Sequence, residues 1–316
     1  MSNWKEIAIT FAKNEMTAPE VTRKLRDLGY LSDIPYTKAY DRVRKYVGRH
    51  LGETAFQKVV VTRNVEPRGF NHGWNGEHII RFALIGDTHL NSKYTQLTAL
   101  NDFYDYCANH GVYTIYHTGD IDDGYKMRVG HDNELYTVGA DNHVAEIVKN
   151  YPYHPEIDTY FICGNHDASI YKNCGYDIGP AIARERSDMH YLGRDCAVVA
   201  LTPEITLELR HPWDATGASI SARIQKMIDM SDNKPSILAV GHYHNAEQLY
   251  HRGVHAFQTA SFQSATPFTI GRGITCATGG WIVEVRVDAN GNMISCSGQF
   301  IPAKCIKNDY QNYPRA

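Results

Sequence analysis

No apolar run in the 316 residues approaches the roughly 18–20 residues that span a bilayer. The chain does not open on a charged segment, an apolar core and a small-residue cleavage site, so no secretory leader is expected. Its seven cysteines are odd in number and include no CxxC pair. Those absences point to a reduced, cytoplasmic protein without structural disulfides and without a membrane partner. Internal repeats and low-complexity tracts are also missing.

What is present is ordinary for a globular protein, with 43% hydrophobic and 21% charged residues. The length suits one large domain and a small one. The net charge of −3 hides an asymmetry. Residues 1–70 carry 13 Lys+Arg against 8 Asp+Glu, and the remainder carries 19 against 27. Two readings are open: scattered surface charge, or a nucleic-acid-facing N-terminus on an acidic, cation-collecting body.

Residues 1–52 read as a small all-α domain of three helices. Trp4, Ile7, Ala8 and Phe11 recur at helical spacing. Thr17-Ala18-Pro19-Glu20 is a capping-box pattern, Val21, Leu25 and Leu28 line one face, and Gly29 stops the helix. A third helix begins near Thr37 with Tyr40, Val43 and Val47 inward, which leaves Lys38, Arg42, Lys45 and Arg49 outward. The arrangement resembles a helix-turn-helix unit with Thr37 to His50 as recognition helix, although Gly29 to Tyr36 is longer than a tight turn. A solvated basic face is the plain alternative.

Residues 53–79 read as a connector, with Lys58 to Thr62 a strand and Pro67 to Gly76 an irregular loop. From residue 80 to 316 strands and helices alternate. Helices are expected near Gln96 to Ala108 and His143 to Asn150. Strands at Gly280 to Val287 and Met293 to Ile301 flank the hairpin signal Asn290-Gly291. Gly124 to Asn142 shows no periodicity and reads as a loop at a site mouth, its His131, Asp132 and Glu134, with the adjacent His143, as surface or supporting groups.

Four short segments carry most of the chemistry: Gly86-Asp87-Thr88-His89, Gly119-Asp120-Ile121-Asp122-Asp123, Gly164-Asn165-His166-Asp167 and Gly241-His242-Tyr243-His244. Each follows an apolar, β-favouring run, which puts oxygen and imidazole donors on loops at strand ends. Mixed carboxylate and imidazole donors suit Mn²⁺, Fe or Zn²⁺ better than Ca²⁺ or Mg²⁺. His110, His117, His154 and His251 lie outside these segments and read as structural.

The series resembles the calcineurin-like metallophosphoesterase superfamily, whose pattern is DxH, GDxxD, GNHD or GNHE, a lone His after a strand, and GHxH. The resemblance covers roughly residues 80–300 and implies a β-sandwich flanked by helices. It implies two divalent cations, Mn²⁺ first, one held by Asp87, His89 and His244 and one by Asn165, His211 and His242, with Asp120 bridging. The lone His is read as His211, with His190 the alternative. His166 becomes the general acid, oriented by Asp123, which would also raise its pKa, with Asp167 in support. A bridging water made acidic by the two ions is the implied nucleophile.

Protein Ser/Thr phosphatases of this superfamily carry arginines in GDxVDRG and RGNHE to hold a phosphomonoester dianion. Both are absent here, so a phosphodiester is expected instead. The GDTHL start resembles repair nucleases of the superfamily, and with the basic N-terminus it favours nucleic acid. A small-molecule phosphodiesterase and a non-catalytic DNA-binding regulator are the alternatives. Tyr94, Tyr125 and Tyr243 are candidates to stack on bases, with core filling the ordinary role for most of the 21 tyrosines.

Overall fold

In the computed structural model, residues 4–13, 16, 18–51, 69–213 and 219–313 are described. The chain divides into two units, Met1–Glu66 and Pro67–Ala316. The first holds α1 (Trp4–Lys13), α2 (Ala18–Asp27) and α3 (Tyr36–Leu51). Ala8, Ala12, Val21, Leu25, Val43 and Val47 form its core. Arg26 Nη1 donates to the carbonyls of Leu31 (2.9 Å) and Ile34 (2.7 Å), which ties down the long link between α2 and α3.

Two details depart from the helical pattern. Leu28 lies just past the end of α2 and is 58% exposed, because Tyr30 and Leu31 pack on the core in its place. On α3 Ala39 is buried along with Val43 and Val47, and Tyr40 is only half-buried. Lys38, Arg42, Arg44, Lys45 and Arg49 are exposed. Thr17 and the expected strand Lys58 to Thr62 lie outside the described residues.

The second unit runs β1 (Gly69–Asn71), β2 (Ile79–Ile85), α4 (Leu97–Asn109) and β3 (Thr114–His117). A 3₁₀ turn (His131–Glu134), α5 (Ala140–Asn150), β4 (Asp158–Cys163), α6 (Asn165–Cys174), α7 (Ile178–Glu185) and β5 (Met189–Arg194) follow. Next come β6 (Cys196–Ala200), β7 (Thr206–Arg210), α8 (Ile220–Met230), β8 (Ile237–Val240), β9 (Glu247–His251) and β10 (Val254–Gln258). The unit closes with α9 (Pro267–Gly271), β11 (Gly279–Val287), β12 (Met293–Pro302) and α10 (Asp309–Asn312).

The strands make two six-stranded sheets, ordered β1-β6-β7-β8-β10-β9 and β12-β11-β2-β3-β4-β5. Strands β2 to β5 pair in parallel, as do β7 with β8 and β8 with β10. Within the expected connector, Gly69–Asn71 therefore form an edge strand paired with β6. Side-chain alternation explains the layering. Ile80, Phe82 and Leu84 of β2 meet Ile237 and Ala239 of β8 in a core between the sheets. Ala83 and Ile85 face outward onto α4 and its neighbours, while Leu238 and Val240 face Ile224 and Ile228 of α8. Strands buried on both faces read as continuous apolar runs, and that is why they are legible.

The result is a β-sandwich flanked by helices, with a separate helical unit. No helix among the described residues is long and apolar enough to cross a membrane.

Phe82, fully buried between the sheets and edge-on to Tyr116 at 5.4 Å, is a test of that core. Phe82→Ala is expected to lower stability by about 3–5 kcal/mol, read as a shift of the urea midpoint followed by tryptophan fluorescence.

Candidate metal centre

All the candidate ligands sit where parallel strands end. β2 delivers Asp87 and His89, β3 delivers Asp120, β4 delivers Asn165, β7 delivers His211, and β8 delivers His242 and His244. Register keeps them level: Ile85 pairs with His117, and Arg210 pairs with Val240. The loops then bond to one another. Asp87 N–H donates to Gly119 O, His89 N–H to Asp120 O and Gly241 N–H to Arg210 O.

The turns are tight. Among the described residues eleven non-glycine residues have positive φ, and five of them are Asp87, His89, Asp120, His242 and His244. Such backbone is costly for residues other than glycine and concentrates at functional sites. Packing is equally close at Gly164, where an added Cβ would stand 2.3 Å from Asp120 Oδ1 and 2.7 Å from the His211 ring.

Among the described residues three donor clusters result, the third joining His89 to Asp123 and His166. In the first, His89 Nε2 and His244 Nε2 face each other at 3.0 Å, and Asp87 Oδ1 lies 3.9 and 3.3 Å from them. In the second, His211 Nε2 lies 3.1 Å from Asp120 Oδ2 and 3.0 Å from Asn165 Oδ1, and His242 joins Asp120 and His211. The clusters adjoin, since His242 N–H donates to the Asp87 carboxylate at 2.9 Å. Asp120 is grouped with the second cluster, and its Oδ1 accepts His166 N–H at 2.8 Å. His190 is elsewhere, on β5, paired with Asp158 at 2.8 Å.

These donors fit divalent cations. Ligands about 2.0–2.1 Å from one ion stand roughly 3.0–3.5 Å apart, close to the spacings present. The ring tautomers also suit ligation. His211 Nδ1 donates to Thr118 O at 2.8 Å, which leaves Nε2 a lone pair for metal. Electrostatics agree. Burial disfavours a charged imidazole, yet Asp87 pushes His244 up to about 10 and Asp120 pushes His211 up to about 9. The two carboxylates hold positive charge strongly enough to keep protons there.

Support comes from a ring of buried polar groups. Both Asp167 oxygens accept backbone N–H groups, from Gly164 (2.8 Å), Asp120 (2.9 Å), Ile121 (3.3 Å) and Asp122 (2.9 Å). One carboxylate thus locks the second and third motif loops together. Asp122 binds His143 Nδ1 at 2.7 Å and accepts from Asn91 Nδ2. His143 Nε2 meets Thr137 O at 3.1 Å. Burial opposes its charge, but Asp122 raises the His143 pKa.

Asp123 differs from the expected role. Its carboxylate meets His131 Nε2 (3.3 Å) and Gln263 Nε2 (3.0 Å). It also lies 3.0 Å from His89 Nδ1, off the axis needed for a hydrogen bond. His166 is oriented instead by the Asp123 carbonyl, to which Nδ1 donates at 2.6 Å, with the carboxylate 3.6 Å away. The His166 pKa is lowered rather than raised, because burial outweighs the attraction of Asp120 and Asp123. A phosphate anion bound beside Nε2 would raise it again.

His131 and His143 are fully buried supports, so the surface alternative fails for both. Gln263 and Cys276, whose Sγ lies 3.9 Å from His244 Nδ1, were not visible as site residues. They come from a distant segment, and nothing in their local sequence marks them.

Two outcomes follow. Because His211 and His244 hold protons at pH 7, cation binding must expel them, and affinity should rise with pH. Calorimetric titration with Mn²⁺ in buffers of different ionisation heat should show proton release, and affinity should climb about ten-fold per pH unit for each proton displaced. Asp167→Ala should weaken metal binding by about 10–100-fold although Asp167 is not a ligand. The same titration reads it.

Residues 80–258 match the model of the calcineurin-like phosphoesterase family. Among solved structures, the chain is similar to an archaeal phosphodiesterase at 12% identity, covering 70% of this chain and 100% of that one, with TM-score 0.40. It is similar to a zinc-complexed Vps29 from Entamoeba histolytica at 13% identity, 70% and 99% coverage, TM-score 0.36. A predicted phosphoesterase from Streptococcus pneumoniae TIGR4 follows at 10% identity, 71% and 99% coverage, TM-score 0.34. No curated protein matches the chain. The family match spans more than half of the 316 residues and includes Asp87, His89, Asp120, Asn165, His166, His211, His242 and His244. The chain therefore belongs to the calcineurin-like phosphoesterase family and is a metal-dependent phosphoesterase.

Proposed function

We propose that the enzyme hydrolyses phosphodiester bonds and that nucleic acid is its substrate class. The observation that carries the diester reading is what stands at the two arginine positions of the related protein phosphatases. One is Gly124, where a Cβ would stand 2.5 Å from His166 O and Ser169 Oγ. The other is Cys163, which is buried. Neither position has room for a guanidinium directed at a phosphate. A dianion would lack that compensation, whereas a diester monoanion needs less.

Asp87, His89 and His244 would hold one cation, Asn165, His211 and His242 a second, with Asp120 shared, and Mn²⁺ suits the donors. Bound there, the ions would activate a water and neutralise charge on the phosphoryl group. The chain's own groups do the rest. The first turn of α6, starting at Asn165, presents the positive end of a ten-residue helix to the anion. His166, with Nδ1–H held by Asp123 O, keeps Nε2 free to carry a proton to the leaving oxygen. Asp167 keeps both loops in place. The exposed basic side chains of α3 supply phosphate contacts independent of sequence.

The test compares bis-p-nitrophenyl phosphate with p-nitrophenyl phosphate in Mn²⁺, in wild type and Asp120→Ala, and then labelled single- and double-stranded DNA. Diester cleavage should dominate, fall in the variant by more than the roughly 10–100-fold cost of losing an outer partner, and extend to DNA, with binding that weakens steeply in salt. Diesterase activity that leaves nucleic acid intact would assign a small-molecule substrate. Absence of all activity would leave a DNA-binding regulator.

A further inference from the structure

The segment from Ser261 to Ala277 is pinned at both ends to the first metal cluster. At one end Ser261 Oγ donates to Asp87 O at 2.7 Å and Gln263 Nε2 to Asp123 Oδ1 at 3.0 Å. At the other, Ala277 N–H donates to His244 O at 2.8 Å. Between them α9 carries Phe268, still 38% exposed, and Arg272, also exposed, follows it.

A second segment meets it there. His131 contacts Asp123, and its ring lies 6.1 Å from that of His166. The same turn positions Arg128, whose carbonyl accepts His131 N–H at 3.2 Å and whose Nη2 pairs with Glu134 at 2.6 Å. The Arg128 and Arg272 guanidinium carbons lie 4.8 and 4.7 Å from the centroid of the one Phe268 ring. Their separation is therefore below about 10 Å, a Debye length at moderate salt, and their repulsion is incompletely screened. Glu134 compensates Arg128. Arg272 has no acidic partner among the described residues.

We propose that Arg128, Phe268 and Arg272 form an anion-binding rim beside His166 that takes a second phosphate of the substrate, next to the scissile one. The rim deepens the phosphodiesterase reading and rests on it. Two guanidiniums gathered on an exposed ring lower their energy by accepting a phosphate, and the ring fixes their geometry. The pinned ends join that rim to the loops that carry Asp87 and His244. A nucleotide chain offers a phosphate on either side of the one being cut, whereas an isolated diester offers none. Lys126, also exposed, adds to the positive field on the same segment as Arg128.

The rim is tested by binding to the Mn²⁺-loaded full chain, without relying on turnover. Dissociation constants are measured for thymidine 5′-monophosphate and thymidine 3′,5′-bisphosphate in wild type, Arg272→Ala and Arg272→Glu. Wild type should prefer the bisphosphate by about ten-fold or more, the gain expected of one further charge-assisted contact. The preference should fall to about two-fold or less in Arg272→Glu. Because each preference is a ratio within one variant, a general change in folding or metal loading cancels. Equal affinities in wild type, or a ratio unchanged in both variants, overturns the rim. Failure of the diesterase reading shows separately, as absent hydrolysis of bis-p-nitrophenyl phosphate.

Discussion

Two buried carboxylates, Asp87 and Asp120, impose the demand that the rest of this structure answers. Each is at most 1% exposed, and burying such charges without compensation is prohibitively expensive. The chain surrounds them with imidazoles whose nitrogens converge on points between donors. Donors gathered that closely suit cations. The raised His211 and His244 pKa values are one expression of this demand, and a divalent ion would satisfy it more fully. The strained backbone at five candidate ligands belongs to the same arrangement, because each donor must turn back sharply from a strand end to meet the others.

Holding those turns requires a second layer with no slack. Asp167 draws four backbone N–H groups from two loops onto one carboxylate. Asp123 gathers contacts from His131, Gln263 and the His89 edge, so three distant segments meet on it. The lowered His166 pKa follows from the burial around this half-buried ring, which disfavours its charged form. An anion bound beside the ring would favour its charged form again.

The two sheets explain why the site is built where it is. Parallel strands of both sheets end at the site, so the Asp87 and Asp120 carboxylates come from one sheet and the imidazoles from both. A sandwich buried on both faces of each sheet can hold these ends rigidly, which loops alone could not do. The segments at the mouth, 124–142 and 261–278, are fastened to the metal loops by backbone hydrogen bonds as well as by His131, Ser261 and Gln263. Half-buried Arg128, exposed Arg272 and Phe268 lie on these two segments, outside the donor clusters.

Much of this was legible in the chain. The Gly-Asp, Gly-Asn-His-Asp and Gly-His-x-His segments stand out because each joins a run of apolar β-formers to donors with a glycine at the turn. Leu28 misled because helical periodicity continues in sequence past the point where the helix stops. Gly69–Asn71 is too short to show a strand pattern, and its partner β6 is more than a hundred residues away. By itself the sequence determined the central apolar strands, the three N-terminal helices and which residues are candidate donors, since these depend on local periodicity and residue chemistry. Tertiary structure alone decided that Asp123 holds His166 through its carbonyl, that His131 and His143 are buried supports, and that Arg128 and Arg272 share one ring. Each of those depends on the distance between segments remote in the chain, and local pattern carries no information about such distances.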